Sequence, residues 1–326
     1  MRAPDFWQRG QGGINALALA PLGWAYGLAG KLRRTLTDEW HAPIPVLCIG
    51  NVVAGGAGKT PVAIDIGQRL LARGITLNFL SRGYGGTEAG PHRVNGEIDN
   101  AANVGDEPML LSRIAPTWIA RDRVAGAQAI ARNGGNVIVM DDGFQNPALA
   151  KTCSVLVVDG RYGFGNGRVT PAGPLRESVP DALARADAIV LIGPDDSDVA
   201  DQVAALSPNL PLMRAKIVPG DEIEKLSGKK VSAFAAIARP EKFFQTLEDG
   251  GCKIVERHGF ADHHVFTRQE ITTLKERSRD AGLRLVTTEK DLTRIAPDQR
   301  DDIETLTITL HWEDEAALST LFDRLL

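Results

Sequence analysis

The sequence predicts an α/β fold in which a parallel-sheet domain is joined by a linker to a second, smaller α/β domain. Three observations point there. Short apolar runs alternate with amphipathic segments along most of the chain, as strands do when helices separate them. Some runs are apolar at consecutive positions, as in 137–140, which suits strands covered on both faces. A length of 326 residues exceeds one typical core.

Taken in order, the first unusual segment carries no charge between Arg9 and Lys31. It holds Ile14, Leu17, Leu19, Leu22, Trp24, Tyr26 and Leu28, then Lys31, Arg33 and Arg34. Length alone would permit a membrane span. Pro21 and six glycines weaken that reading, and no small-residue cleavage pattern marks a signal peptide. Aromatic residues beside a basic cluster suit a helix over 10–34 lying in the headgroup region of an anionic membrane.

A strand-like run over 45–49 then leads into Gly50-Asn51-Val52-Val53-Ala54-Gly55-Gly56-Ala57-Gly58-Lys59-Thr60-Pro61, followed by an apolar-periodic helix over 61–73. Strand, glycine loop, Gly-Lys-Thr and helix are the context of a phosphate-binding P-loop. The glycines let successive amides converge on one anion, and the helix N-terminus adds partial positive charge. Residues Val53, Ala54, Gly55, Gly56, Ala57, Gly58, Lys59 and Thr60 are the candidate nucleotide cradle. Lys59 supplies a full charge and the Thr60 hydroxyl a ligand for Mg²⁺. The match departs from the strict pattern at Val53, where glycine is usual.

Further strands are expected over 76–80, 117–120, 136–140, 154–158 and 188–192, with helices over 107–114, 123–132 and 181–186. A linker strand is placed at 212–224 between a first domain over 1–211 and a smaller one over 225–326. In the latter, strands are expected over 230–235, 253–257 and 284–288 and helices over 239–247 and 268–281. A last strand over 305–311 and helix over 314–326 are free to return to the linker or the first domain.

Composition excludes some classes. The formal net charge of −4 gives no basic excess for nucleic-acid binding. The apolar fraction of 43% is ordinary for a globular protein. Cys48, Cys153 and Cys252 show no metal-ligand spacing and read as buried free thiols.

Four further constellations carry chemistry. Asp141 and Asp142 end the apolar run 137–140, and an acid at a strand's carboxyl end beside a P-loop is where Mg²⁺ is held, directly or through water. Asp106, in Gly105-Asp106-Glu107-Pro108, opens a helix and reads equally as its N-cap. His263 and His264 are adjacent and so point apart, which argues against a two-histidine metal site and for one histidine as base or orienter. Arg82, Arg121, Arg123 and Arg176 lie in or beside glycine-bearing loops, where planar guanidinium groups suit phosphate oxygens. Thr287-Thr288-Glu289-Lys290-Asp291 follows a strand and either reaches the nucleotide or caps a helix.

The ordered set Gly55-Gly56-Ala57-Gly58-Lys59-Thr60-Pro61, Ser81-Arg82-Gly83-Tyr84, Gly105-Asp106-Glu107-Pro108, Asp141-Asp142-Gly143-Phe144-Gln145, Gly173-Pro174-Leu175-Arg176-Glu177, Asp262-His263 and Thr288-Glu289-Lys290-Asp291 resembles the tetraacyldisaccharide 4′-kinase family of lipid A biosynthesis. The resemblance runs from the N-terminal apolar segment to about Asp291, and departs at Asn146, where histidine is common. It implies a Mg²⁺- and ATP-dependent kinase that phosphorylates the 4′-hydroxyl of a tetraacylated glucosamine disaccharide 1-phosphate, giving lipid IVA. It implies catalytic roles for Asp106, His263, Lys59 and Arg176, with domain closure bringing His263 to Asp106. It also implies peripheral attachment to the cytoplasmic face of the inner membrane, with no obligatory protein partner. The competing class is a non-kinase P-loop ATPase or GTPase. The signature lysine of deviant Walker ATPases is replaced by Ala54, and no guanine-recognition motif is present.

Overall fold

The computed structural model describes residues 4–325; residues 1–3 and 326, the outer ends of the two expected domains, lie outside the described residues. Helix α1 (Gly13–Leu36) runs through Pro21 and buries only Ala16 and Gly23. The first alternation then begins with β1 (Val46–Gly50), α2 (Lys59–Ala72), β2 (Leu77–Ser81) and the short β3 (His92–Arg93). It continues through α3 (Ala101–Val104), α4 (Asp106–Leu111), β4 (Thr117–Ile119), α5 (Arg123–Arg132) and β5 (Val137–Asp141). It ends with β6 (Cys153–Asp159), α6 (Val179–Leu183), β7 (Ala188–Ile192), α7 (Val199–Leu206) and β8 (Leu212–Pro219).

The second alternation comprises α8 (Glu222–Leu226), β9 (Lys230–Ala235), α9 (Pro240–Asp249), β10 (Lys253–Gly259) and α10 (Arg268–Asp280). After it come β11 (Arg284–Thr288), α11 (Glu289–Thr293), β12 (Ile303–Leu306), β13 (Ile308–Trp312) and α12 (Glu315–Leu325).

Two sheets result. The larger has nine strands in the order β13-β8-β7-β6-β1-β5-β2-β4-β3, and the smaller has four in the order β10-β9-β11-β12. The larger is parallel except where β3 and β13 pair antiparallel at its two edges. The smaller is parallel throughout. The expected strand over 305–311 is in fact two strands. Leu306 pairs with Thr288 of β11, whereas Ile308 pairs with Pro219 of β8, so the chain passes from one sheet to the other at Thr307. Thr307 is held there by its hydroxyl, which donates to Glu222 at 2.7 Å, and by its carbonyl, which accepts from the Gly220 amide at 2.9 Å. An unbroken apolar alternation carries no sign of such a change of partner.

β1 is central and buried on both faces, which explains its unbroken apolar run. Leu47 and Ile49 face a core shared with Val62, Ile66 and Leu70 of α2 and Leu318 and Phe322 of α12. Val46 and Cys48 face the opposite core, with Ala127 and Ile130 of α5 and Val199 and Val203 of α7. The smaller sheet is likewise covered twice. Phe243, Phe244 and Leu247 of α9 pack on one face, and Ile271 and Leu274 of α10 on the other. All three cysteines are buried and unpaired. Burial pushes the Cys48 thiol up to about 12.

Candidate active site

The site forms at the carboxyl end of β1, where the chain must turn sharply into α2. Gly58, at φ +89°, occupies the left-handed position that ends this turn and caps α2. The loop is braced from below. The Asn51 side-chain amide donates to the Val53 carbonyl at 2.7 Å, and the Ala54 amide donates to the Pro174 carbonyl at 2.7 Å. Val53 also bridges Leu175. The Ala54 amide is therefore committed to the protein, and the stretch with room for phosphate is Gly55 to Thr60. Lys59 Nζ donates to Asn51 Oδ1 at 3.2 Å and lies 3.7 Å from Asp142.

Register brings Asp141 beside the loop, because β1 and β5 are neighbours and Ile49 pairs with Asp141. Thr60 Oγ1 donates to Asp141 Oδ2 at 3.3 Å. Asp141 Oδ1 is buried without a partner among the described residues. Burial pushes this carboxyl up to about 7 against the pull of Lys59. Asp142 differs. It stands at φ +52° and is gripped by two Arg176 donors at 2.6 and 3.2 Å. Burial would raise its carboxyl, but Lys59 and Arg176 hold it below the usual range. Thr60 and Asp141 thus fit a small oxygen-seeking cation, and Asp142 is already neutralised by protein.

Behind Arg176 lies a network that no motif reading assigned. Gln145 Oε1 accepts from Arg176 at 3.1 Å, and Gln145 Nε2 donates to Glu177 at 3.2 Å. Buried Glu177 also meets Arg185 and, at 3.2 Å, Arg34 of α1. Asn146 Oδ1 accepts from the Ala148 and Leu149 amides, both at 3.1 Å, so the departure from the family pattern is absorbed in a local turn.

The remaining arginines separate. Arg82 and Arg121 are exposed. Arg123 is buried, with Nη1 donating to the Ala120 carbonyl and Nε lacking a partner among the described residues. Burial and then the nearby Arg82 push its guanidinium down to about 10.

Asp106 does not cap α4; Gly105 holds the N-cap position and Asp106 is the first helical residue. Its side chain is buried and turned to the second sheet. His263 Nδ1 lies 3.3 Å away, Lys290 Nζ 3.4 Å away, and Arg294 makes a direct ion pair. Burial would raise the Asp106 carboxyl, but His263, Lys290 and Arg294 hold it well below the carboxylate range. His263 follows β10, at φ +58°, with its amide donating to the Ala236 carbonyl at 3.1 Å. A non-glycine residue in that region is uncommon, and both Asp142 and His263 carry it at the same site.

Asp106, Glu107 and His263 present atoms within 4.8 Å of one another, a spacing that could receive a cation. Lys290 already serves Glu107 and Arg294 serves Asp106, so the protein's own charges fill that role. His264 points away and meets Glu270 at 3.0 Å. Thr288 caps α11 by accepting from the Asp291 amide at 3.1 Å, which leaves Lys290 free to cross to α4. Above the P-loop, a Cβ on Gly56 would lie 3.5 Å from Ala238, and Asp159 at the end of β6 binds Arg239 and Lys242.

Comparison with known proteins places the chain in a family. The family model described as tetraacyldisaccharide-1-P 4′-kinase matches residues 15–326. The tetraacyldisaccharide 4′-kinase of Paramagnetospirillum magneticum is 48% identical over 325 residues, covering 100% of this chain and 99% of that protein. That of Rhodospirillum rubrum is 45% identical, covering 100% and 98%. The crystal structure of LpxK from Aquifex aeolicus in complex with ATP superposes with a TM-score of 0.75 at 24% identity, covering 96% of this chain and 99% of that one. A family match along nearly the whole length, with relatives approaching half identity, leaves one conclusion: the chain belongs to the tetraacyldisaccharide-1-P 4′-kinase family.

Proposed function

We propose that this protein transfers the γ-phosphate of ATP to the 4′-hydroxyl of a tetraacylated glucosamine disaccharide 1-phosphate, as its family name implies. The observation that carries the reading is the convergence of two half-sites. The P-loop with Lys59 and Thr60 and the β5 residue Asp141 lie at the large sheet, and Asp106, at the start of helix α4 packed on that sheet, meets His263, which follows β10 of the small one. Phosphoryl transfer asks a protein mainly for positioning and charge neutralisation, plus one group to accept the hydroxyl proton.

Residues 55–60 bind the nucleotide phosphates, and Lys59 leaves Asn51 for the transferring phosphoryl. Thr60, Asp141 and Asp142 are the residues that would hold Mg²⁺, and when bound that cation would offset the negative charge of the phosphates. Asp106 and His263 take the sugar proton as a pair. Arg176 sits beside Asp142, within the same charged cluster, and contributes a cation to the phosphates. Arg82 and Arg121, both exposed, are available to the phosphate-bearing substrate, whereas Arg123 is buried against the Ala120 carbonyl and supports the loop from within. Helix α1 rests on the anionic cytoplasmic surface of the inner membrane, where an acylated substrate resides. No described helix is long and apolar enough to cross a membrane.

The test is transfer of label from γ-labelled ATP to the purified disaccharide 1-phosphate, followed by chromatography. Labelled lipid should appear only with a divalent cation present and should vanish with the 4′-deoxy analogue. Label released as free phosphate at the same rate without acceptor would instead mark a plain ATPase.

A further inference from the structure

Arg294 was singled out by no motif, yet it is the most heavily committed side chain at the seam between the two sheets. It follows α11 and is 5% exposed. Nη1 donates to the Ala236 carbonyl and to Asp291 Oδ1, both at 2.9 Å. Nη2 meets Asp106 Oδ2 directly and lies 3.4 Å from His263 Nδ1. One edge of a planar fork is thus bolted to the small-sheet domain, and the other grips an acid carried by the large one. We propose that Arg294 is a positioning residue that fixes the Asp106 carboxylate against His263, so that the proton-accepting pair is assembled by the seating of the second domain.

Physical necessity supports the assignment. Asp106 is 3% exposed, and a carboxylate so buried is stable only when a cation or several donors meet it. The groups facing it are His263, Lys290 and Arg294, with Glu107 beside it on its own helix. Lys290 is engaged chiefly with Glu107, so Arg294 is the cation dedicated to Asp106.

Geometry also fixes the histidine. Nδ1 lies 3.3 Å from Asp106 and 3.4 Å from Arg294, and it cannot donate to the first while accepting from the second. The bond to an ionised acceptor is the stronger. Nδ1 therefore keeps its proton toward Asp106, and Nε2, with Asp262 Oδ1 3.8 Å away, is the nitrogen left to accept a proton. A lysine at 294 would keep the charge but lose the fork that holds both domains.

This inference rests on the kinase reading, and the test separates the two. Wild type, Arg294→Gln and Arg294→Lys are compared in otherwise native and Asp106→Ala backgrounds, under single-turnover conditions with detergent-dispersed disaccharide 1-phosphate. ATP affinity is measured apart, by nucleotide titration. Arg294→Gln should lower the transfer rate by about tenfold to a hundredfold, the scale of one charge-assisted hydrogen bond, with ATP affinity unchanged. In the Asp106→Ala background the same change should cost less than about twofold, because a residue acting through a partner has nothing left to position. Arg294→Lys should be impaired less than Arg294→Gln. Millimolar guanidinium should restore part of the rate to Arg294→Ala and none to Asp106→Ala.

Equal losses in both backgrounds, or a loss seen in ATP affinity, overturn the proposal. If Arg294→Gln does not fold, the Arg294→Lys cycle and the guanidinium rescue decide on the same criteria. A wild-type protein that transfers no label would instead defeat the kinase reading itself.

Discussion

A single side chain sets the state of each half of the site. Lys59 is held between Asn51 and Asp142, close to where phosphate would sit, and no other lysine approaches the loop among the described contacts. Replacing it with alanine should reduce kcat by roughly a hundredfold or more, the scale of losing one transition-state contact. The folded state should survive, since Lys59 spans no core. Near-native turnover by a folded Lys59→Ala protein would remove the P-loop from the mechanism. Asp141 and Asp142 show how neighbours in sequence diverge in role. One carries a buried oxygen without a partner among the described residues, and the other is gripped by Arg176.

At the scale of elements, α1 departs most from a soluble helix. Trp24 is 79% exposed and Leu28 68%, on a helix that buries almost nothing against the protein. The basic cluster does not act as one unit. Arg34 turns inward to Glu177 and Lys31 approaches Asp181 at 3.7 Å, while Arg33 stays exposed. Attraction of α1 to an anionic membrane, worth about 1 kcal/mol per surface-facing basic residue, would therefore draw on fewer charges than the sequence offers. Replacing Trp24 and Leu28 with aspartate should move the protein from the membrane to the soluble fraction. It should also slow turnover of vesicle-embedded substrate more than detergent-dispersed substrate. Release of the unmodified protein by a carbonate wash is expected, and retention would mean that the helix spans.

Element types were largely legible because the central strands of the large sheet are short apolar runs with their own turn signals. The sequence pattern did not show β3, α3, α8 and α11, which have five residues or fewer, nor the eight-residue α7. The division of 305–311 between two sheets has no local signature. The P-loop and Asp141 could be read from sequence because their chemistry is contiguous. The Asp106 pairing could not, since Arg294 and Lys290 meet it from nearly two hundred residues away, and only the fold makes them neighbours.

At the scale of the molecule, the last strand and helix serve the first alternation. Trp312 is buried, and its Nε1 donates to Asp65 of α2 at 2.7 Å. α12 adds Leu318, Leu321 and Phe322 to the core that supports the nucleotide loop's helix. Trp312→Ala should destabilise the protein by about 3–5 kcal/mol, as for other large aromatic truncations. Trp312→Phe should cost about 1 kcal/mol for the lost hydrogen bond. Both are measurable by denaturant unfolding. If Trp312→Ala left the midpoint unchanged, the C-terminal segment would not be structural in this way.

The passage of the chain at Thr307 has a further consequence for biosynthesis. The edge strand β13 that closes the large sheet is synthesised after every strand of the small sheet, whereas its partner β8 is made before them. Until then the nascent nucleotide-binding domain carries an open sheet edge and a bare apolar face over α2, both adhesive surfaces. Vectorial folding thus cannot complete the large sheet before the small one has been made.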